Sequence, residues 1–332
     1  MNTTQTEMTQ TLDSLLIEQF EANEALLLSN DSPRIKDLRK KHFLEFKEKG
    51  FPDSSQEKWR FTEIESALDQ SFTHNLTCEN PNTNIEELFR CEVHNFKSEI
   101  ISVLNGCYYS EKGALITNED GVIYGSLNAA KKAFPELFDR FFGTIAHAEN
   151  NSFVNLNTAM AQDGVFIHVP KGVEATKTLQ IIKMIDKNEN IFVQNRHLII
   201  LEAGSKLNLM HCDDSINHHS SLVNTVTEVF VAENAHFELY KLQNLNDASA
   251  LVNSLFVQQH ADSTVKTNTL TFNCGMIRNN IEVSLDGKGA HADVLGLYLM
   301  DKQQHVDNQI RILHNVAQCT SNELFKGILD DE

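Results

Sequence analysis

From about Lys177 to the end, the chain repeats itself loosely. Small turn clusters recur at Ala203-Gly204-Ser205, Glu233-Asn234-Ala235, Ala261-Asp262-Ser263 and Lys288-Gly289-Ala290. With Gly204, Asn234, Asp262 and Gly289 as markers, the period is about thirty residues, in the range of solenoids and other stacked arrays. Each cluster leads into alternating apolar and polar residues, as in Lys206 to His211 and His236 to Leu242. That is the two-residue period of a strand with one buried face. No helical pattern intervenes. One such unit is too small to bury its own face and gains stability by stacking on its neighbours. Short, evenly spaced strands also occur in sandwiches and jelly rolls, so periodicity alone leaves a β-helix and a sandwich both open.

The N-terminal part reads differently. From Met8 to Ser29, Leu12, Leu15, Leu16, Phe20, Leu26 and Leu27 fall near helical spacing. Pro33 then interrupts and restarts the chain, and Ile35, Leu38, Phe43 and Phe46 continue a second amphipathic helix to a C-cap at Gly50. Trp59-Arg60-Phe61-Thr62 carries the only tryptophan and reads as an aromatic plug fixing the helices to the rest. Ser71 to Cys91 is polar and rich in Asn and Thr, a connection. Ile100 to Leu104 and Gly121 to Tyr124 read as strands, and Asn128 to Phe142 as a helix interrupted by Pro135. Gly164 to Val173 reads as a strand closed by a Pro/Gly turn. The resulting organisation is a helical arm over 1–75, a mixed α/β region over 76–165 and a β core over 166–332.

Composition narrows the class. The formal charge of −18 leaves no phosphate-binding surface of the kind nucleic acid requires. Glu7, Asp13, Glu18, Glu21, Glu24 and Asp31 precede the first basic side chain, Arg34, the opposite of a secretory or transit leader. No apolar run approaches the roughly eighteen residues of a membrane span. These features predict a cytoplasmic protein without a membrane partner. Cys78, Cys91, Cys107, Cys212, Cys274 and Cys319 lack paired spacing and are expected to be reduced thiols.

The densest set of metal-capable side chains is His211-Cys212-Asp213-Asp214 with His218-His219. It lacks tight ligand spacing, and alternation sends neighbours to opposite faces, so a structural loop is the expectation there. Gly287-Lys288-Gly289 is a β turn, not a phosphate loop, because the rest of that motif is missing. Asp213-Asp214, Asp286 and Asp293 raise the alternative of a β-helix carbohydrate lyase or hydrolase, but these acids fall mostly in turns and groove aromatics are sparse.

Several uncommon words point to a family. They are Arg278-Asn279-Asn280, the Leu285-Asp286-Gly287 turn, Gln304-His305-Val306-Asp307-Asn308, His314, Cys319, Ser321 and Phe325-Lys326-Gly327-Ile328, with Trp59-Arg60-Phe61-Thr62 as a distant second match. Together they resemble the SufD side of the SufB/SufD family, scaffold proteins of the SUF iron-sulfur cluster assembly machinery. The resemblance runs from Trp59 to the last residue and implies a mainly β fold, a right-handed parallel β-helix behind an N-terminal helical domain. It implies a non-catalytic subunit acting with SufB and the SufC ATPase, with a nascent iron-sulfur cluster only at a complex interface. It also implies further coils and a C-terminal helical domain beyond Glu332, so the chain is expected to be truncated, and the contact with SufC, made through those helices, is placed in doubt. A SufD fragment without function is the companion alternative. Where the family approaches its partner-facing coils, His314 and Cys319 are the metal-ligand candidates.

Overall fold

The computed structural model describes residues 11–78, 97–147 and 151–330. Met8, Cys91 and most of the Ser71 to Cys91 connection lie outside the described residues.

Two helices open the chain, α1 (Leu12–Leu27) and α2 (Pro33–Lys49). Helix α2 starts where Ser32 Oγ accepts the Ile35 N–H and Pro33 supplies a preset φ. It ends at Gly50, whose φ of 64° lets its N–H reach the Phe46 carbonyl. After the short α3 (Glu65–Leu68) come strands β1 (Thr73–His74), β2 (Ser98–Leu104), β3 (Cys107–Tyr109), β4 (Leu115–Thr117) and β5 (Ile123–Ser126). Helices α4 (Leu127–Ala133) and α5 (Pro135–Phe141) meet at Pro135, the expected interruption, and α6 (Ser152–Met160) follows.

Twelve strands then form the solenoid. They are β6 (Gly164–Val169), β7 (Thr178–Ile185), β8 (Ile191–Leu201), β9 (Lys206–Ser215), β10 (Ser221–Val231), β11 (His236–Asn244), β12 (Ala250–Gln259), β13 (Thr264–Asn273), β14 (Met276–Leu285), β15 (His291–Met300), β16 (His305–His314) and β17 (Thr320–Leu329). Even-numbered strands pair parallel in one sheet, in the order β16-β14-β12-β10-β8-β6, and odd-numbered strands pair parallel in the other, from β17 down to β7. Each coil therefore contributes one strand to each sheet, giving a β-solenoid of about six turns. This decides against the sandwich. Parallel β2 extends the odd sheet beyond β7, and antiparallel β5 and β4 extend the even sheet beyond β6.

The turn markers have a common geometry. Gly204, Asn234, Asp262 and Gly289 all adopt left-handed φ, 67°, 57°, 54° and 80°. Glycine, Asn and Asp tolerate that region best. There each N–H reaches a carbonyl one coil further on: Gly204 to Glu233, Asn234 to Ala261, Asp262 to Lys288 and Gly289 to Gln318. The sequence period is thus the repeat of this bent, coil-to-coil hydrogen bond.

The core divides into an interior and a mantle. Between the sheets, Ile199, Val229, Val257 and Val283 of the even strands face Leu209, Leu239, Val265 and Val294 of the odd strands. On the outer face of the even sheet, Phe20, Phe46 and Trp59 of the helical arm, with Phe153 of α6, pack over Phe192, Leu222 and Val252. Beside them Phe138 and Phe142 pack over Leu198, Phe230 and Phe256. The aromatic plug expected at Trp59 sits in this mantle, tilted against Phe153 with ring centroids 5.6 Å apart.

One expectation is corrected here: Cys78 and Cys107 are joined by a disulfide. Their 29-residue separation carries no pairing signal. Thr73–His74 pairs with Ile191–Phe192 of β8, and Gly106 lies against Val193 of the same strand, so β8 brings the two cysteines together.

Candidate functional site

Inside the solenoid a polar seam runs between two apolar layers. One layer is the cluster of Ile199, Val229 and Val257 with its partners; the other comprises Val193, Val223, Leu251, Cys274 and Ile277. In the even sheet, register stacks Asn195, Thr225, Asn253, Asn279 and Asn308 one above another through five successive coils. In the odd sheet, the corresponding stack is Lys183, Asp213, Gln243 and Thr271. Every member except Asn308 is buried.

Buried polar groups need partners, and most of these find one another. Lys183 Nζ lies 2.6 Å from Asp213 Oδ1 and donates to Thr225 Oγ1 at 2.7 Å. Lys241 Nζ lies 3.2 Å from Asp213 Oδ2. Further along, Gln243 Nε2 donates to Asn279 Oδ1 at 2.8 Å, Asn279 Nδ2 donates to Asn308 Oδ1 at 2.9 Å, and Thr271 Oγ1 donates to Gln243 Oε1 at 2.8 Å.

Burial sets the charge states. It pushes Lys183 down to about 8 against the pull of Asp213. It also opposes ionisation of Asp213, but the two ammonium groups outweigh it and hold that carboxyl below its usual range. Burial, reinforced by Lys183 and Lys241, drives His197 and His211 well below the ordinary histidine value, so both imidazoles are neutral. Burial also raises the Cys274 thiol to about 12, which removes it as a nucleophile near neutral pH. The seam can hold charge and relay hydrogen bonds along the solenoid axis.

A second network joins the helical arm to the last coils. Thr62 Oγ1 donates to Asp307 Oδ2 at 2.7 Å and lies 3.2 Å from His305 Nε2. Asp307 also accepts from Arg278, whose guanidinium stacks 4.3 Å above the centroid of the Trp59 ring. Trp59 and Thr62 lie more than two hundred residues from His305 and Asp307, yet the two separate groups of uncommon words converge on this one contact.

The residues singled out in the sequence lie as follows. The stretch His211-Cys212-Asp213-Asp214 is part of strand β9, not a loop, with buried His211 and Asp213 alternating with more exposed Cys212 and Asp214. His314, at the end of β16, has its Nε2 2.9 Å from Ser321 Oγ. Cys319 Sγ lies 3.2 Å from the Gly287 carbonyl oxygen. Among the described residues, no group of three or more His, Cys, Asp or Glu side chains is placed to hold a metal ion. Gly287-Lys288-Gly289 forms the turn between β14 and β15. Lys183 and Lys241 escape a reading that treats a lysine in a strand as solvent-facing; the available signals are that Lys183 interrupts the apolar stretch Ile181 to Ile185 and that Lys241 shares the parity of Phe237 and Leu239.

Residues 10–181 match the family described as the SufBD protein N-terminal region, and residues 184–332 match the SufBD core domain of SUF system FeS cluster assembly. The chain belongs to the SufBD family. An iron-sulfur cluster assembly SufBD family protein of Staphylococcus epidermidis is 30% identical over 213 residues, covering 63% of this chain and 45% of the relative. A counterpart from Staphylococcus haemolyticus matches to the same extent, and one from Staphylococcus saprophyticus is 29% identical over 216 residues. The chain spans about half the length of these SufBD relatives. Among the described residues, no helix is long and apolar enough to cross a membrane.

Proposed function

We propose that this chain is a SufD-type scaffold subunit that works with SufB and the SufC ATPase to assemble iron-sulfur clusters, the cluster being product and cargo. The observation that carries the SufD reading is the contact of Trp59 and Thr62 with Arg278, His305 and Asp307, which unites the two groups of SufD-like words in one hydrogen-bonded network. We read the described part of the 1–75 arm as a brace for the coils of the 166–332 core, with the described strands of the 76–165 region extending its first edge. His314 and Cys319 lie on the last coil, and we assign them as the donors this chain offers toward a partner-completed cluster site. The expected cytoplasmic location has the Cys78–Cys107 bond against it, since disulfides are rare there.

Co-expression with SufB and SufC, followed by purification through a tag on this chain, tests the reading. Recovery of a three-subunit complex that carries a reconstituted cluster supports it. Recovery of this chain without SufB and SufC refutes it. If the complex forms, Cys319→Ser is expected to lower the cluster content without loss of subunits, and unchanged content removes Cys319 from the assignment.

A further inference from the structure

A small cavity of about 10 Å³ lies in the solenoid interior, lined by His197, His211, Lys241, Thr227 and Asn253 together with leucine and isoleucine side chains from both sheets. That is room for one water-sized particle. His197 Nδ1 accepts the Val165 N–H at 3.0 Å, which fixes the tautomer and leaves the ring proton on Nε2. That Nε2–H has no hydrogen-bond partner although the ring is fully buried, and His211 Nε2, also buried, has none either. Two imidazole nitrogens without hydrogen bonds therefore border the same small space, His211 Nε2 lying 3.7 Å from Asp213 Oδ1.

The charge count around it is unequal. Lys183 and Lys241 share the single carboxylate of Asp213. The other buried charges on strands β8 and β10, Arg196 and Glu228, pair with each other on the opposite face of the even sheet, toward the helices. Walls of leucine and isoleucine surround a net positive interior, and an uncompensated charge in such a setting is strongly unfavourable. A neutral water would satisfy the imidazole N–H and leave the charge unbalanced. A small anion does both.

We propose that this cavity is a binding site for a single monovalent anion of halide size, held by the Nε2–H of His197 and the field of Lys241 and Lys183. The ion completes the charge balance of the seam and ties strands β8, β9 and β11 across the solenoid.

The test uses the full chain in bromide, with gluconate as the matched control at constant ionic strength. Expected are a saturable rise in Tm of about 3 °C with bromide or chloride over gluconate and an anomalous bromide peak beside His197 Nε2 in crystals grown in bromide. In Lys241→Met the halide-dependent rise is expected to vanish, while the folded protein is retained in gluconate. Should that variant fail to fold, the wild-type titration and the bromide peak still decide the question. A Tm that responds equally to gluconate and halide, or a cavity holding only water in bromide-grown crystals, overturns the proposal.

Discussion

The two sheets of the solenoid are built from strands of similar length, yet they differ in what lies outside them. Beyond β7 the odd sheet is bare: β9, β11 and β13 alternate between buried and partly exposed positions along their length. The even sheet is clad by helices along β8 and β10, where every residue is buried. One face of a bare strand stays in water, so its polar residues need no internal partner. A clad strand has no wet face, and each polar group on it must be paired within the protein. Glu228 meets that demand by accepting the Gly143, Ile145 and Ala146 backbone N–H groups while it pairs with Arg196, so one carboxylate both neutralises a buried cation and anchors the segment after α5.

The largest test of this contrast is Glu228→Ala. It strips buried Arg196 of its counter-ion and leaves three backbone donors buried without partners, and a loss of about 3–5 kcal/mol in denaturant unfolding is expected. A loss under 1 kcal/mol would mean that water reaches the clad face and the contrast fails.

Neighbouring truncations sharpen the comparison next. On the clad strand β10, Val229 faces the interior and Phe230 the helices, so both are buried. Phe230→Ala should cost about 3–5 kcal/mol and Val229→Ala a smaller but clear amount. On the bare strand β11, Leu239→Ala should cost about 2–5 kcal/mol, while Tyr240→Ala, on the open face, should cost under about 1 kcal/mol. Equal costs at Leu239 and Tyr240 would show that the odd sheet is covered in solution.

Acid titration probes the seam shared by the two sheets. His197 and His211 stay neutral in the fold, whereas the unfolded chain takes up protons near the ordinary histidine value of about 6.5. Native pKa values below the unfolded ones mean that stability is fully present above about pH 6.5 and is lost as pH falls below it. The slope is up to about 1.4 kcal/mol per pH unit for each histidine. Urea midpoints measured between pH 7 and pH 5 should fall, and should fall less steeply in His197→Phe. An identical profile in that variant would place its protonation outside the seam.

The smallest effect belongs to the open face. Lys266 and Glu238, partly exposed and 3.1 Å apart on the outer side of β13 and β11, form a solvent-screened pair. Lys266→Ala should change stability by less than about 1 kcal/mol, and less still at high salt.

These contrasts also explain what could be read in advance. Alternation at Lys206 to His211 and His236 to Leu242 marks the bare strands because one of their faces is wet. Gly204, Asn234, Asp262 and Gly289 mark the coil period because each occupies a backbone region that most side chains avoid. Of the candidate site, the words around Trp59, Arg278 and Asp307 were visible, but their contact was not. The seam was hidden for a different reason: a charged side chain reads as solvent-facing, whereas Asp213 and Lys241 share the buried faces of Leu209 and Leu239 and meet Lys183 only where the coils stack.

The sequence by itself determined the β period of about thirty residues, the two N-terminal helices, the helix break at Pro135 and the family, because each depends on local conformation or on uncommon words within one stretch of chain. Only the tertiary structure decided that Thr62 meets Asp307, that Cys78 meets Cys107, and that two lysines share one carboxylate between the sheets. Those contacts join residues through the stacking of separate coils and the docking of the arm. Which side chains a dry interior must satisfy is therefore set by which backbones lie next to one another, a property of the packed solenoid that no single segment carries.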